Sequence, residues 1–369
     1  MVALRPRCGQ AWAPAGVNGI RQRDKDKMKL KEFAKAVGMS QTTVSRALNG
    51  HPEVSEATRA RLIEAAHRLG YAPNAHARML ATGHASTIGC VIPIGGRNEL
   101  VNPIYADFLA GVGEVCARRK FEINLTVVPQ DEQAEAYRAL KSKGLVGGLI
   151  VQFPRRGDPR LALLKRIGLP FVVHGRVGDH PEPYSWVDVN NLRAFERGTQ
   201  FLLQLGHRQI ALLNGDEAHD FALRRREGFL RALAAAGLPA PAPDRMLSGE
   251  MSASYGYAGA VALLSSDNPP TAVLTSSIMI AMGVKQALEE RGLQPGRDLS
   301  IVTFDDDLSY YSNRGAVPVF TAMRSPVREA GRRTAEMLIG LIDAPEGKAV
   351  TELLEAELVV GRSTAPPRC

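Results

Sequence analysis

The sequence predicts two kinds of object in one chain: an all-α block over residues 28–80 and, beyond it, an α/β body built on parallel sheets. Three observations carry this. Residues 28–80 hold short amphipathic helix patterns broken by glycine. From Ile88 onward, apolar strand-like runs alternate with helical patterns. The charge is also unevenly placed. Residues 1–80 contain fourteen Lys and Arg against six Asp and Glu, a net of +8, whereas residues 81–369 contain thirty-two of each. A basic helical block on a neutral body points to a phosphate-backbone partner for the block alone. A merely solvated basic tail fits less well, because the Lys and Arg are interleaved with ordered helix signals.

The elements of the block follow in order. Leu30, Phe33, Ala34 and Val37 fall at i, i+3, i+4 and i+7, one apolar stripe, and predict a first helix over about 30–37. Gly38 supplies the positive φ that ends it. Ser40 is a natural N-cap for a second helix, in which Val44, Ala47 and Leu48 pack inward. Gln41, Thr42, Thr43, Ser45 and Arg46 are left on or near the open side. Amides, hydroxyls and a guanidinium can pair with base edges or phosphates. Ser55 caps a third helix that runs to Leu69 and stops at Gly70, with Leu62, Ala66 and Leu69 expected to bury. This is the pattern of a helix-turn-helix DNA reader. A three-helix unit can also dock protein, but the Ser-Gln-Thr-Thr-Val-Ser-Arg run lacks the aromatics of a protein hot spot.

Composition bounds the rest. At 369 residues, 45% hydrophobic and 23% charged, the chain suits two or three domains of a soluble protein. No apolar run approaches the ~18–20 residues that span a membrane. The start, MVALRPRCGQAWAPAGVNGIRQRDKDK, lacks the apolar core of a signal peptide. Residues 1–27 read as a disordered arm, and Met28 as the natural start. Cys8, Cys90, Cys116 and Cys369 lie far apart with no metal-type spacing, so they read as reduced cysteines in a cytoplasm. Cys90 sits in an apolar strand and belongs to a core.

In the body, IGCVIPI, FEINLTVV, VGGLIVQF, PFVVH, QIALLN, TAVLTS and SIVTF read as buried strands. Helical patterns lie between them at about 107–119, 192–205, 223–236, 255–264 and 281–291. Continuous apolar strands alternating with helices mean parallel sheets covered on both faces. Enzyme readings are poor. Asp305-Asp306-Asp307 suggests an acid/base pair or a metal site, but neighbouring strand carboxylates alternate in direction and no second cluster supports them. GVGEVC at 111–116 starts like a dinucleotide loop but lacks its third glycine. GxxxxGK[ST], GxSxG and HExxH do not occur. No metal and no cofactor are expected.

The stretch VGMSQTTVSRALNGHPEVSEATRARLIEAAHRLGYAPNAHARMLATG resembles the DNA-binding headpiece and hinge of the lactose-repressor (LacI/GalR) family of bacterial transcription regulators. The resemblance extends over essentially all of residues 28–363. It implies a helix-turn-helix domain at 28–72 and a hinge helix and linker at 73–87. Residues 88–363 then form a periplasmic-binding-protein-like effector and dimerisation core. Its N-lobe takes about 88–188 and 319–350, its C-lobe about 189–318 and 351–363, with crossings near 188–190, 316–320 and 350–353.

The resemblance also implies roles. Gln41, Thr42 and Arg46 fall where the family reads operator bases. Ser40, Thr43, Ser45 and Asn49 fall where it meets phosphates or fixes the helix. Pro73-Asn74 opens the hinge helix, and Leu80 matches the leucine that wedges into the minor groove. In the core, Arg225 matches the arginine that clamps an effector hydroxyl or carboxylate. Asp305 falls where an aspartate accepts sugar hydroxyl protons, and Ser277 at another pocket position. Asn102, Tyr105, His174, Phe221 and Asp188 are further candidates. Each has a plain alternative: a surface helix charge for Arg225, a loop cap for Asp305, a satisfied strand-end histidine for His174, simple packing for Phe221.

Two departures stand out. Many relatives have Ser-Asp at Ser277-Ile278 and Gly at Thr303. SQTTVSRALNG, TSSIMIAMG and TFDDDLSYY are most similar to the branch that represses α-glucoside utilisation. The resemblance therefore implies a cytoplasmic dimeric repressor on a pseudo-palindromic operator, released by a small sugar. The dimer follows from the lack of a C-terminal leucine heptad. Three alternatives are carried forward. One is a co-repressed regulator with a purine, pentose or sugar phosphate effector. The others are a sugar-binding transport protein and an enzyme on the same scaffold.

Overall fold

The computed structural model describes residues 28–48, 53–71, 85–94, 102–178, 180–305, 307–311, 313, 315–344 and 347–368. The chain divides into two compact units, with the boundary between Gly83 and His84.

The first unit contains α1 (Leu30–Ala36), α2 (Gln41–Leu48) and α3 (Glu56–Leu69). Phe33, Val44, Ala47 and Leu62 close its core, and Phe33 stacks on Tyr71 with ring centroids 4.4 Å apart. Each large side chain buried there contributes about 1.5–3 kcal/mol, a substantial share for so small a unit. The turns follow the glycines: Gly38 has φ +70 and Gly70 φ +64. The Ser40 Oγ accepts the Thr43 N–H at 3.0 Å, and the Ser55 Oγ the Thr58 N–H at 3.3 Å. Leu69 departs from expectation. It is 36% exposed, because the helix ends there and Tyr71, not Leu69, completes the core against Phe33.

The second unit holds two six-stranded sheets. Its elements in chain order are β1 (Thr87–Ile94), α4 (Pro103–Arg119), β2 (Glu122–Pro129), α5 (Gln133–Ser142), β3 (Gly148–Gln152), α6 (Pro159–Ile167), β4 (Phe171–His174) and β5 (Trp186–Val189). There follow α7 (Asn191–Gln204), β6 (Ile210–Asn214), α8 (Asp220–Ala235), β7 (Met246–Ser248), α9 (Ala253–Leu264), β8 (Ala272–Thr275), α10 (Ile278–Glu289) and β9 (Ser300–Phe304). The last are β10 (Thr321–Arg324), α11 (Val327–Asp343), β11 (Thr351–Leu354) and β12 (Glu357–Val359). The first sheet has the order β11-β5-β4-β3-β1-β2 and the second β12-β10-β9-β8-β6-β7. All pairings are parallel except β10 with β12, so the second sheet is mixed.

The pairing corrects the chain path. Thr321–Arg324 pairs with β9 and belongs to the second sheet, whereas Thr351–Leu354 pairs with β5 in the first. The chain therefore returns to the first lobe after Arg324, not near 316–320. It leaves again after Leu354, one residue beyond the expected 350–353. Strands of three or four residues are defined by their hydrogen-bonded neighbours rather than by any pattern of their own. The core also runs past 363. Ala365 donates its N–H to Ser300 Oγ, and Arg368 pairs with Asp298 at 3.2 Å.

The helices cover the sheets in close pairs. Gly111 on α4 lies against the Arg328 carbonyl on α11, and Gly331 on α11 against the Phe108 carbonyl on α4, so a Cβ at either would overlap backbone. GVGEVC thus lies inside a helix, where its glycine serves packing. Cys90 is buried in β1, and burial pushes its thiol up to about 12.

Candidate effector cleft and DNA-reading helix

In the first unit, α2 presents a polar face by construction. Val44 and Ala47 are fully buried, which turns Gln41, Thr42 and Arg46 outward, all exposed. Ser40 and Thr43 are partly committed, their hydroxyls paired at 2.8 Å at the helix start. Ser45 is half-buried on the same helix. Asn49, Asn74 and Leu80 lie outside the described residues.

In the second unit, a cavity of about 1190 Å³ opens at the carboxyl ends of the strands of both sheets. This is where open α/β sheets place ligands, because loops diverge there and helix N-termini point inward. The first lobe contributes Asn102, Gln152, Phe153, Arg155 and Arg160; the second contributes Asp216, His219, Phe221, Glu250 and Met251. Of the residues singled out from sequence, Asn102 and Phe221 line this cavity. Asn102 also caps α4, its Oδ1 accepting the Ile104 N–H at 3.0 Å.

Arg225, Asp305 and Asp188 form a buried layer behind Phe221. Arg225, on α8, is 5% exposed. Its guanidinium carbon lies 4.7 Å from the Phe221 ring centre, 4.2 Å from Phe304 and 5.3 Å from Phe195. It donates through Nε to Asn191 Oδ1 and through Nη1 to the Ser276 carbonyl, both at 2.8 Å. Asp305 stands 3.9 Å from Nη2. Burial pulls the guanidinium down to about 10, against the opposing pull of Asp305 and Asp188. A charge buried this deeply is retained only because partners compensate its desolvation.

Asp305 follows β9 directly with φ +55 and accepts a hydrogen bond from Ser325 Oγ. Asp188, buried at the end of β5, accepts from Arg176 Nε at 2.7 Å and Asn191 Nδ2 at 3.3 Å, yet burial still raises its carboxyl. His174, at the end of β4, stacks on Phe108 at 4.2 Å, and burial pushes it down to about 4, a neutral imidazole. Tyr105 is buried, and desolvation raises its phenol. Ser277 is a correction. It is fully buried and caps α10, its Oγ accepting the Ile280 N–H, rather than facing the cavity.

Sequence reasoning passed over the turn after β3. Asp158 caps α6 and receives Arg160 through Nε at 2.9 Å and Nη2 at 2.6 Å. Burial works to raise Asp158, but the Arg160 guanidinium holds its carboxyl below the usual range. The same Nη2 donates to the Gln152 carbonyl at 3.0 Å and the Phe153 carbonyl at 3.2 Å. Phe153 is thereby held at φ +50, a left-handed conformation that costs a bulky residue about 1–3 kcal/mol. Its ring, 37% exposed, meets His219 edge-on at 6.2 Å, and His219 stacks on Phe221 at 5.8 Å. The cavity thus has an aromatic strip along one side. In RRGDPR at 155–160 the one local signal of this order is Asp158-Pro159, an N-cap followed by proline at the start of α6. Among the described residues there is no group of three or more His, Cys, Asp or Glu placed to hold a metal ion.

The lobes also touch beside the cleft. Asp220 donates its N–H to the Pro154 carbonyl and accepts the Gly178 N–H, each at 3.1 Å. Asp107 on α4 accepts the Ser309 N–H at 2.6 Å as well as its hydroxyl.

A reader helix with an outward polar face, on the same chain as a two-lobed ligand-binding core, defines a ligand-responsive DNA-binding transcription regulator. Comparison with known proteins agrees. Residues 29–74 match the model of the lacI family of bacterial regulatory proteins, and residues 199–364 match a periplasmic binding protein-like domain. The HTH-type transcriptional regulator AglR of Rhizobium meliloti (strain 1021) is 42% identical over 344 residues, 91% of this chain and 94% of AglR. Among solved structures, the CelR–cellobiose complex is 28% identical with a TM-score of 0.68, covering 91% of this chain and all of that one. The lac repressor dimer bound to operator and the anti-inducer ONPF is 26% identical with a TM-score of 0.77, covering 92% of this chain and all of that one. The chain belongs to the LacI family. The family is one of transcriptional regulators, and no helix among the described residues is long and apolar enough to cross a membrane.

Proposed function

We propose that the protein is a cytoplasmic homodimeric repressor of sugar-utilisation genes, released from a pseudo-palindromic operator by an α-glucoside. The observation that carries the effector half is the cleft itself. It is a large cavity at the strand ends, walled by aromatic faces and edged by amide, carboxylate and guanidinium groups. Apolar ring faces and polar edges are what a sugar presents. The similarity to AglR, and to a CelR structure that holds cellobiose, supports the same class of ligand. Two-fold protein symmetry matches a two-fold operator, and the lac repressor relative is a dimer on its operator.

In this reading Gln41, Thr42 and Arg46 face base edges, while Ser40, Thr43, Ser45 and Asn49 set the helix on phosphates. Asn74 opens the hinge and Leu80 is the minor-groove wedge. Phe221 and Asn102 meet the sugar directly. Arg225, with Asp305 and Asp188 around it, sits one layer behind Phe221 and reaches the ligand when that ring turns aside. Tyr105 and His174 shape the first lobe beneath the pocket. Binding changes the angle between the lobes, and the headpieces lose their paired fit to the half-sites. No step of bond making or breaking is involved.

The test is fluorescence anisotropy of the full chain on the palindromic DNA upstream of its own gene, at fixed salt, titrated with maltose, sucrose and trehalose. Fixed salt matters because phosphate contacts make affinity steeply dependent on ionic strength. Release by one of these disaccharides is the expected result. Tight binding that none of them weakens refutes the α-glucoside effector and leaves the DNA-binding assignment standing.

A further inference from the structure

The aromatic strip extends to one side of the Arg225–Asp305 layer, onto the first lobe. At its end are two features that the fold alone does not require. The Gln152 amide lines the cavity, and its Nε2 is buried with no hydrogen-bond partner among the described residues. Beside it, Phe153 is held in the left-handed region with its ring partly bare in the cavity. Both are fixed from behind by one device, since the Arg160 Nη2 that pairs with Asp158 also donates to the Gln152 and Phe153 carbonyls. A buried donor without an acceptor and a bulky side chain at positive φ are each unfavourable. They persist together only where the surrounding structure dictates them, and such strain gathers where ligands bind.

We propose that Gln152 and Phe153 form an outer subsite that binds the second ring of a disaccharide or longer saccharide and so sets the length of effector the protein answers to. The inference rests on the reading of the cleft as a saccharide site. Ring C–H groups, made positive by neighbouring oxygens, lie against the negative face of Phe153. A ring hydroxyl accepts from Gln152 Nε2. Two features favour more than one ring. The cavity of about 1190 Å³ exceeds the roughly 300–1,000 Å³ of ordinary small-molecule pockets. The strip from Phe153 through His219 to Phe221 also spans two successive ring contacts, 6.2 Å and 5.8 Å, between the outer subsite and the Arg225 layer.

The experiment compares, on the full-length protein, the disaccharide that releases operator most readily among maltose, sucrose and trehalose with methyl α-glucoside. The readout is the concentration of each that halves operator occupancy. In Phe153→Ala and Gln152→Ala the disaccharide value rises tenfold or more, and the methyl glucoside value stays within twofold. Phe153→Tyr, which keeps the ring, restores the wild-type preference. Phe153→Gly relieves the backbone, so it melts higher than wild type while losing the disaccharide preference, which separates subsite loss from misfolding. An equal rise for both sugars, or none for either, overturns the subsite while the saccharide reading stands. A wild-type protein that answers to no saccharide removes that reading and the subsite with it.

Discussion

Arg225 shows how far a single residue can be read from sequence. The family resemblance implied a ligand-clamping role for it, and the fold places it buried behind the cleft residue Phe221. Sequence could not show that Phe221, Phe304 and Phe195 would enclose it, or that Asn191 and the Ser276 carbonyl would take its donors. Phe221 lies one turn before Arg225 on α8, but the other partners come from α7, β9 and the turn after β8, and spacing along the chain carries no information about those. His174 makes the same point with a measurable consequence. The notion of a satisfied strand-end histidine was open, and the structure stacks it on Phe108 with its ring held neutral, titrating at about 4. An unfolded histidine titrates near 6.5. The unfolded chain therefore binds a proton that the folded one refuses between those values. Stability is whole above about pH 6.5 and is lost as pH falls toward 4, by at most about 3 kcal/mol from this residue. Melting temperatures of wild type and His174→Gln across pH 4–7 check it. The wild type falls more steeply over that window, and parallel curves would refute the assignment.

At the scale of elements, the long apolar strands and the helix-turn-helix were legible because their patterns are local. β10, β11 and β12 were not, since TAMR, TELL and ELV carry no periodicity and gain their identity from the strand beside them. The helix pairs were also hidden, although glycine marks each crossing. On α9 and α10, Gly256 meets the Ile280 carbonyl and Gly283 the Ala253 carbonyl; on α7 and α8, Gly228 meets the Leu192 carbonyl. In sequence these glycines look like weak points of helices. In the fold they let two backbones approach, and backbone cannot rotate aside as a side chain can. Gly283→Ala is therefore expected to destabilise the second unit by about 1–3 kcal/mol or more through overpacking. Gly340 on α11 is the control, because nothing lies within 4 Å of a Cβ there. Gly340→Ala is expected to be neutral or to stabilise by about 0.5–1 kcal/mol, the ordinary helix cost of glycine removed. Calorimetric melting of both variants decides it. A Gly283→Ala protein as stable as Gly340→Ala would mean that the pair separates at no cost.

The whole molecule is a basic reader joined to a neutral sensor. Net charge of +8 lies in residues 1–80, and the rest of the chain balances to zero. Long-range attraction to DNA therefore resides in the first unit, and ligand chemistry in the second, which has its own cores around both sheets. Residues 84–369 alone are expected to bind the disaccharide as tightly as the DNA-free full chain does, and to show no affinity for operator. Coupling appears only when both partners are present. The factor by which saturating sugar weakens operator must equal the factor by which operator weakens sugar, because the two are edges of one thermodynamic cycle. For coupling of the usual size, about 1–3 kcal/mol, that factor lies between about 5 and 150. Titrating sugar into the full chain with and without saturating operator gives one edge, and titrating operator with and without sugar gives the other. Equal factors, together with unchanged sugar binding in residues 84–369, place the whole response in the competition between DNA and sugar for different lobe angles. A truncated chain that binds sugar more tightly than the DNA-free full chain would show instead that the first unit restrains the lobes even when no DNA is bound.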